Sequence, residues 1–314
     1  MDNNPNLPKV TIGVPTLNRA KLLSDCLESC LSQTYQNFEI VISNNASSDN
    51  TEEIVKGIND NRIQYHSQSC TISAIDNWNY CINSAKGEYF TFVSDDDILE
   101  PSYIEELMNL SKEYPNASLW RCGLRSVDID NNILWEYSQF PEFVSPIKFI
   151  ENRIQTNSPQ FLPGFLCKTE NMKEINGFED VGFPGALYSD DYFWFRLSFF
   201  GEGVVSTNQI LWNYRTHLNH MGAFIDIEVF NKNVPNYINL LTSLIPRSES
   251  SSDLLDFIKY HYPERLITDR LKIEMKRQSR KSKLGYALKI PLYFGLIKKY
   301  KGNVRYQEIF GNLL

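Results

Sequence analysis

Tyr89-Phe90-Thr91-Phe92-Val93-Ser94-Asp95-Asp96-Asp97-Ile98-Leu99-Glu100-Pro101 decides the fold. Five β-formers run directly into three carboxylates. The first half has the composition of a strand buried on both faces. The second half places Asp95, Asp96 and Asp97 where that strand leaves its sheet. Glu100-Pro101 then opens a segment, Ser102 to Tyr114, with helical spacing at Ile104, Leu107, Met108 and Leu110. Proline suits a first helical turn, because the N–H it lacks would be unpaired there. Three adjacent carboxylates repel one another and a cation relieves the repulsion. Ligands in open α/β sheets sit beyond the carboxyl ends of strands. Oxygen-rich clusters of this kind suit Mg²⁺ or Mn²⁺, which take a few carboxylates plus substrate phosphates. Read alone, the three acids are equally well a solvated turn with one of them capping the next helix.

Working outward, apolar runs alternate with helical patterns. Val10–Val14, Phe38–Ile42 and Ile63–His66 read as short strands. Ala20–Gln33, Thr51–Ile58 and Ile75–Ala85 read as helices between them. This alternation predicts an α/β fold, a mostly parallel sheet with helices on both faces and right-handed crossovers. After Pro115 the pattern loosens. Ser118–Cys122, Ile133–Tyr137, Gln160–Cys167, Val204–Val205 and Ile210–Tyr214 are expected strands. Asp128–Asn132 is an expected hairpin turn, and Thr169–Asn176 and Asp190–Phe200 are expected helices. Beyond Ile225 the signal is helical: Val229–Leu244, Leu254–Tyr260, Pro263–Lys276 and Tyr286–Lys299.

Length and charge bound the function. The 314 residues suffice for one large core or two modest ones. No apolar run reaches transmembrane length and residues 1–9 carry no signal-peptide pattern, so a cytosolic protein is expected. The six cysteines form neither a CxxC pair nor a secreted-domain framework and are expected to be reduced thiols. The four histidines have no zinc spacing. Net charge is −7 but unevenly spread. Lys259 to Arg305 holds 14 of the 31 basic and 3 of the 38 acidic residues, a local balance of +11. The acidic remainder makes nucleic acid a poor partner.

Three polar turns follow strand ends: Thr16–Arg19, Asn44–Asp49 and Asp95–Asp97. Together they can line one crevice. Amides and hydroxyls suit a base and ribose, and Arg19 suits a phosphate. No GxGxxG follows the first strand and no Walker A sequence exists, which excludes dinucleotide and P-loop readings.

Here the chain resembles glycosyltransferase family 2, of the GT-A fold, over about Pro8 to His217. The resemblance rests on Val-Thr-Ile-Gly-Val-Pro-Thr-Leu-Asn-Arg at 10–19, Ser-Asn-Asn-Ala-Ser-Ser-Asp-Asn-Thr at 43–51 and Ala-Lys-Gly-Glu-Tyr at 85–89. It rests also on Ser-Asp-Asp-Asp at 94–97, like the family's DXD-type motif, and on Asn-Gly-Phe-Glu at 176–179. Ser-Asp-Asp-Tyr-Phe-Trp-Phe-Arg-Leu at 189–197 resembles its acceptor-side motif, and Tyr-Arg-Thr-His at 214–217 a late element that reaches the metal. The resemblance implies an inverting transfer from a nucleotide-sugar donor to a hydroxyl of a saccharide or lipid-linked acceptor, in surface polysaccharide synthesis. It implies Mn²⁺ or Mg²⁺ as cofactor. Pro15, Thr16, Asn18, Arg19, Asn44, Asn79 and Asp95 would hold the donor. Asp96, Asp97 and His217 would hold the metal. Asp190 would be the general base, with its neighbour Asp191 the alternative. Neighbours on a helix point about 100° apart, so only one of the two can face the acceptor squarely. The chain departs from the family pattern at Asn44, Trp78 and Ser94, where relatives often carry Asp, Arg and Asp.

Two regions are therefore expected: a catalytic domain over 1–224 and a helical, basic extension over 225–314. Lys276–Lys283 followed by Leu284–Lys299 reads as a basic amphipathic segment for an anionic membrane surface, or equally as a solvated helix. The simpler readings are Asp190 as a helix cap, His217 as a loop histidine, Asn79 as a local backbone cap and Trp194–Phe200 as core. A nucleotidyltransferase and a non-catalytic sugar-nucleotide binder are the competing functions. The first normally needs a basic glycine-rich phosphate loop that is missing here.

Overall fold

Seven residues from Val10 to Thr16 form strand β1, and all seven are buried. β1 lies between β2 (Phe38–Asn44) and β4 (Tyr89–Phe92), parallel to both, with β3 (Ile63–Ser67) beyond β2. β2 and β4 are buried at every position, as expected for strands covered on both faces. The computed structural model describes residues 7–156, 164–216, 227–248 and 251–279.

The sheet continues with β9 (Phe165–Lys168), antiparallel to β4 and to β6 (Leu119–Val127). β10 (Val204–Arg215) runs parallel to β6, and the short β5 (Ile98–Leu99) closes the order β3-β2-β1-β4-β9-β6-β10-β5. β7 (Ile133–Tyr137) pairs with β6 and β8 (Phe143–Val144) with β10. The ten-stranded sheet is thus mostly parallel, with β5, β7, β8 and β9 running against it.

The first helices follow the sequence pattern: α1 (Ala20–Leu31), α2 (Thr51–Gly57), α3 (Ala74–Ser84) and α4 (Tyr103–Glu113). Leu23, Leu27, Ile104 and Leu107 sit in one buried cluster with Val10, Ile12 and Ile40. Side chains at i and i+3 or i+4 share a helix face, so each helix offers one apolar stripe to the sheet.

Three differences matter. β6 runs on to Val127, held there between β10 and β7. β10 is one strand with register shifts between Ser206 and Trp212, where two strands were expected. The bulge lets one chain follow a twisted edge. A helix at Pro146–Thr156 (α5) was not foreseen, and it buries Phe149, Ile150 and Ile154. α6 (Thr169–Glu174) and α7 (Ser189–Ser198) match their expected positions within the usual end variation.

The chain divides into two units, one of Met1–Asp180 with Tyr188–His220, the other of Val181–Leu187 with Met221–Leu314. The second unit includes α8 (Ile227–Leu244), α9 (Ser252–Tyr260) and α10 (Tyr262–Ser279). Its short loop belongs with these helices because Phe183 packs on Phe230 at 4.9 Å, and Asn236 donates to the Val181 carbonyl. Among the described residues no helix is long and apolar enough to cross a membrane. All six cysteines are free thiols, and all but Cys70 are buried. The expected segment 286–299 and strand residues 160–163 lie outside the described residues.

Candidate active site

Two loops at the carboxyl ends of β1 and β2 are laced together. Asn18 stands in the left-handed region at φ 53° and accepts the Ser48 N–H at 2.7 Å. Its own N–H donates to Ser47 Oγ at 2.9 Å. Asp49 accepts the Ala20 N–H at 3.0 Å, so it serves the exposed start of α1. Asn44 is buried, donates to Tyr65 Oη and accepts the Ser47 N–H at 3.0 Å. Pro15 and Thr16 end β1 as buried residues. The result is a preorganised rim of amides and hydroxyls.

Beside that rim, Arg19 Nη1 lies 2.8 Å from Asp95 Oδ1 and 2.6 Å from Asp96 Oδ2. A positive charge is therefore already held between the two carboxylates. Burial pushes the Asp95 carboxyl up to about 6, against the pull of Arg19. Asp97, expected beside Asp96 at the metal, is held by β10. Trp212 Nε1 donates to one of its oxygens at 3.0 Å and the Arg215 N–H to the other at 3.0 Å. It anchors β10 under the acidic turn. Burial beside Asp96 pushes its carboxyl well above the ordinary range.

Among the described residues no three His, Cys, Asp or Glu side chains converge as a metal cage. His217, the expected third ligand, lies outside the described residues. The donor set nevertheless fits a hard cation that binds through one or two carboxylates and completes its shell with substrate phosphate and water.

At the start of α7 the two candidate bases separate. Asp191 is buried, and Arg153 Nε of α5 lies 2.9 Å and 3.1 Å from its two oxygens. Asp190 is half-buried, and Oδ1 accepts the Asp191 N–H at 2.9 Å. Burial, then the Asp191 charge, lift the Asp190 carboxyl to about 7, with Arg153 opposing. Arg153 escaped the sequence reading because α5 did. Pro146 at a helix start and apolar Phe149, Ile150 and Ile154 were the available signal.

Asn79, expected at the donor, is bonded to backbone. Its amide accepts the Phe178 N–H at 2.7 Å and donates to the Phe178 carbonyl at 3.0 Å. It ties α3 to the turn after α6, where Gly177 adopts φ 70° and a Cβ would meet Asn79 Oδ1 at 2.2 Å. Trp78 is buried against Phe178 in an edge-on contact.

Tyr214 links the two sets of acids. Burial raises its hydroxyl, and the charges of Asp97, Asp96 and Asp190 raise it further. A cavity of about 950 Å³ opens nearby, lined by Leu17–Leu22, Asp49, Asn50, Asp128, Ile129 and Thr216. The volume suits a ligand larger than a metal ion.

Residues 11–169 match the description of Glycosyl transferase family 2, and the chain belongs to that family. Its fold is GT-A. A glycosyltransferase of Rickettsia typhi, itself uncharacterized, is 32% identical over 205 residues, 63% of this chain and 61% of its own length. GlyA of Streptococcus pneumoniae is 29% identical over 215 residues, 66% of this chain and 30% of its own length. The chain thus spans less than two thirds of these relatives. A 110-residue stretch, 34% of this chain and 36% of the relative, is 34% identical to a GalNAc(5)-diNAcBac-PP-undecaprenol beta-1,3-glucosyltransferase of Campylobacter jejuni. Among solved structures, S. aureus TarS 1-349 in complex with UDP-GlcNAc shares the fold at a TM-score of 0.64 and 18% identity. That likeness covers 93% of this chain and 80% of TarS 1-349. The mannosyltransferase PcManGT of Pyrobaculum calidifontis, with GDP-Man and Mn²⁺, gives 0.57 at 16% identity, over 93% and 84% of the two chains.

Proposed function

We propose that the protein is an inverting, divalent-metal-dependent glycosyltransferase that moves a sugar from a nucleotide-sugar donor to a hydroxyl of a saccharide or lipid-linked acceptor. One observation carries this reading: where β4 ends, Arg19 holds the carboxylates of Asp95 and Asp96 at 2.8 Å and 2.6 Å and itself lines the cavity of about 950 Å³ beside them. The raised carboxyl of Asp190 supports the assignment of the base. The nucleotide sugars named with TarS and PcManGT, and the lipid-linked substrate named for the Campylobacter relative, support the donor and acceptor classes.

In this reading Asp96 holds Mn²⁺ or Mg²⁺, and Asp97 stays bound to β10. The bound ion would neutralise charge on the departing diphosphate. Pro15, Thr16, Asn18, Asn44 and Asp95 shape the nucleoside site, and Arg19 turns to the diphosphate. Asp190 accepts the proton of the acceptor hydroxyl as its oxygen bonds to the anomeric carbon. The bond from that carbon to the phosphate oxygen breaks on the opposite face, and its electron pair leaves with the nucleoside diphosphate. Asp191, clamped by Arg153, orients the start of α7. Asn79 braces the 176–179 turn. Residues 1–224 form the catalytic domain and 225–314 a basic extension, whose +11 stretch supports peripheral contact with anionic membrane on the cytosolic face. His217 completes the metal shell.

A thermal-shift screen of nucleoside diphosphates and nucleotide sugars with Mn²⁺ tests the reading. A ligand present at a hundred times its Kd stabilises a fold by about 2.7 kcal/mol. The Asp96→Asn variant should keep its fold and lose the metal-dependent part of the shift. No shift with any nucleotide would overturn the proposal.

A further inference from the structure

The β6–β7 hairpin carries four large apolar side chains in solvent: Ile129 (59% exposed), Ile133 (58%), Leu134 (52%) and Trp135 (41%). The other four tryptophans are at most 7% exposed. Burial normally claims tryptophan, so an exposed one on an edge strand calls for an occupant.

Register gives its direction. Trp135 pairs with Ser126 of β6, and Ser126 pairs with Tyr214 of β10. Directly paired residues project from the same face of a sheet. Trp135, Ser126 and Tyr214 therefore stand in one row across three strands. Strands are about 4.8 Å apart, so the row is about 10 Å long. Its inner end is Tyr214, whose neighbour Arg215 donates its N–H to Asp97 of the acidic turn at 3.0 Å. Its middle is the small Ser126, bonded through Oγ to Thr216 Oγ1 at 2.9 Å. Thr216 lines the cavity, as do Asp128 and Ile129 of the same hairpin. The row is thus continuous with the site.

We propose that Trp135 is a specificity-determining platform for the acceptor, and that the acceptor is a saccharide of two or more rings running along the row from Tyr214 past Ser126 to Trp135. This rests on the glycosyltransferase reading of the cleft. A pyranose has an apolar C–H face and an equatorial belt of hydroxyls. Trp135 offers the flat apolar surface. Asp128, which lines the cavity, and Asn132, whose Nδ2 donates to Asp128 at 3.0 Å, offer polar atoms for hydroxyls at the hairpin turn. Glu136, the next residue after Trp135, projects from the opposite face, where Arg125 Nε meets it at 2.8 Å. An uncharged lipid surface would also take apolar side chains, but it offers nothing to these polar neighbours.

The single exposed tryptophan supplies the readout. The full-length protein with Mn²⁺ and UDP or GDP is applied to an array of bacterial mono- to tetrasaccharides, as wild type, Trp135→Phe and Trp135→Ala. Acrylamide quenching of tryptophan fluorescence is measured with the best saccharide. Retention of saccharides of two or more rings is expected for wild type, a fall of about tenfold for Trp135→Ala, and partial retention for Trp135→Phe. The accessible fluorescence should be present in wild type, absent from Trp135→Phe, and shielded by the saccharide. Nucleoside diphosphate affinity should be equal in all three. Equal saccharide retention by wild type and Trp135→Ala overturns the inference, as does no retention by wild type. Trp135-dependent flotation with phosphatidylcholine vesicles in place of saccharide binding also overturns it. If no nucleoside diphosphate binds any variant, the reading of the cleft has failed instead.

Discussion

Nη1 of Arg19 lies 2.6 Å from Oδ2 of Asp96, the residue proposed to hold the metal. The same nitrogen also meets Asp95. A guanidinium and a divalent ion cannot both occupy the space between these oxygens, so metal entry requires Arg19 to move. A nucleoside diphosphate gives it an anionic partner to move to, with geometry that suits a guanidinium.

Arg19→Gln should therefore strengthen Mn²⁺ binding to the protein alone and weaken nucleoside diphosphate binding. Charge-assisted hydrogen bonds contribute about 1.5–3 kcal/mol, and Arg19 is partly solvated, so a change of about tenfold in metal affinity is expected. Calorimetry with Mn²⁺ alone and with UDP or GDP alone checks both halves. Unchanged metal affinity would mean that the contact does not compete.

Activity should rise with pH through about 7, because a general base works in its ionised form and burial holds the Asp190 carboxyl near that value. The stability consequence has the opposite sign. A carboxyl whose folded-state value lies above its unfolded value binds more protons when folded. Stability then falls as pH rises from about 4 to about 7. Asp190→Asn should flatten that part of the melting-temperature profile and raise the melting temperature at pH 8. Arg153→Ala removes a positive charge that favours ionisation, so its activity profile should move to higher pH.

Asp97→Ala should destabilise the fold. It leaves the buried Trp212 Nε1–H and Arg215 N–H without their acceptors, each at a cost of about 1–3 kcal/mol. Asp97→Asn retains one acceptor oxygen and should cost less. Denaturant melts of the two variants check the order. If Asp97→Ala is as stable as wild type, Asp97 is not the anchor of β10.

Gly177→Ala places a Cβ 2.2 Å from Asn79 Oδ1 at a φ of 70°. A left-handed non-glycine residue costs about 1–2 kcal/mol before any clash. The melting temperature should fall, and pairing the change with Asn79→Ala should recover the part due to the clash. No recovery would assign the whole loss to the backbone.

The parallel half of the sheet was legible in sequence because its strands are buried on both faces and read as unbroken apolar runs, as in Val10–Val14 and Tyr89–Val93. The acidic turn was legible because strand ends mark ligand sites. What could not be read was the direction of individual side chains in that turn. Asp96 and Asp97 are adjacent, and only the arrival of Trp212 and Arg215, more than a hundred residues later, sends Asp97 to the sheet. The bond of Asn79 to Phe178 could not be read for the same reason, since its partner is 99 residues away. Arg153 was missed because a single helical turn of apolar spacing between loops gives a weak periodic signal. Its contact with Asp191 is nevertheless what separates the two candidate bases.

That separation is the central claim, and single-turnover sugar transfer by Asp190→Asn and Asp191→Asn, with the donor and acceptor found by the screens, measures it most directly. Asparagine at position 190 keeps the shape and the contact to the Asp191 N–H but accepts no proton. Transfer should fall by about 10²–10⁴-fold with donor affinity near wild type, the range typical of a lost general base. Asp191→Asn loosens the Arg153 clamp, so its loss should be much smaller and should come with a lower melting temperature. A crippled Asp191→Asn beside a nearly normal Asp190→Asn would contradict the assignment of the base.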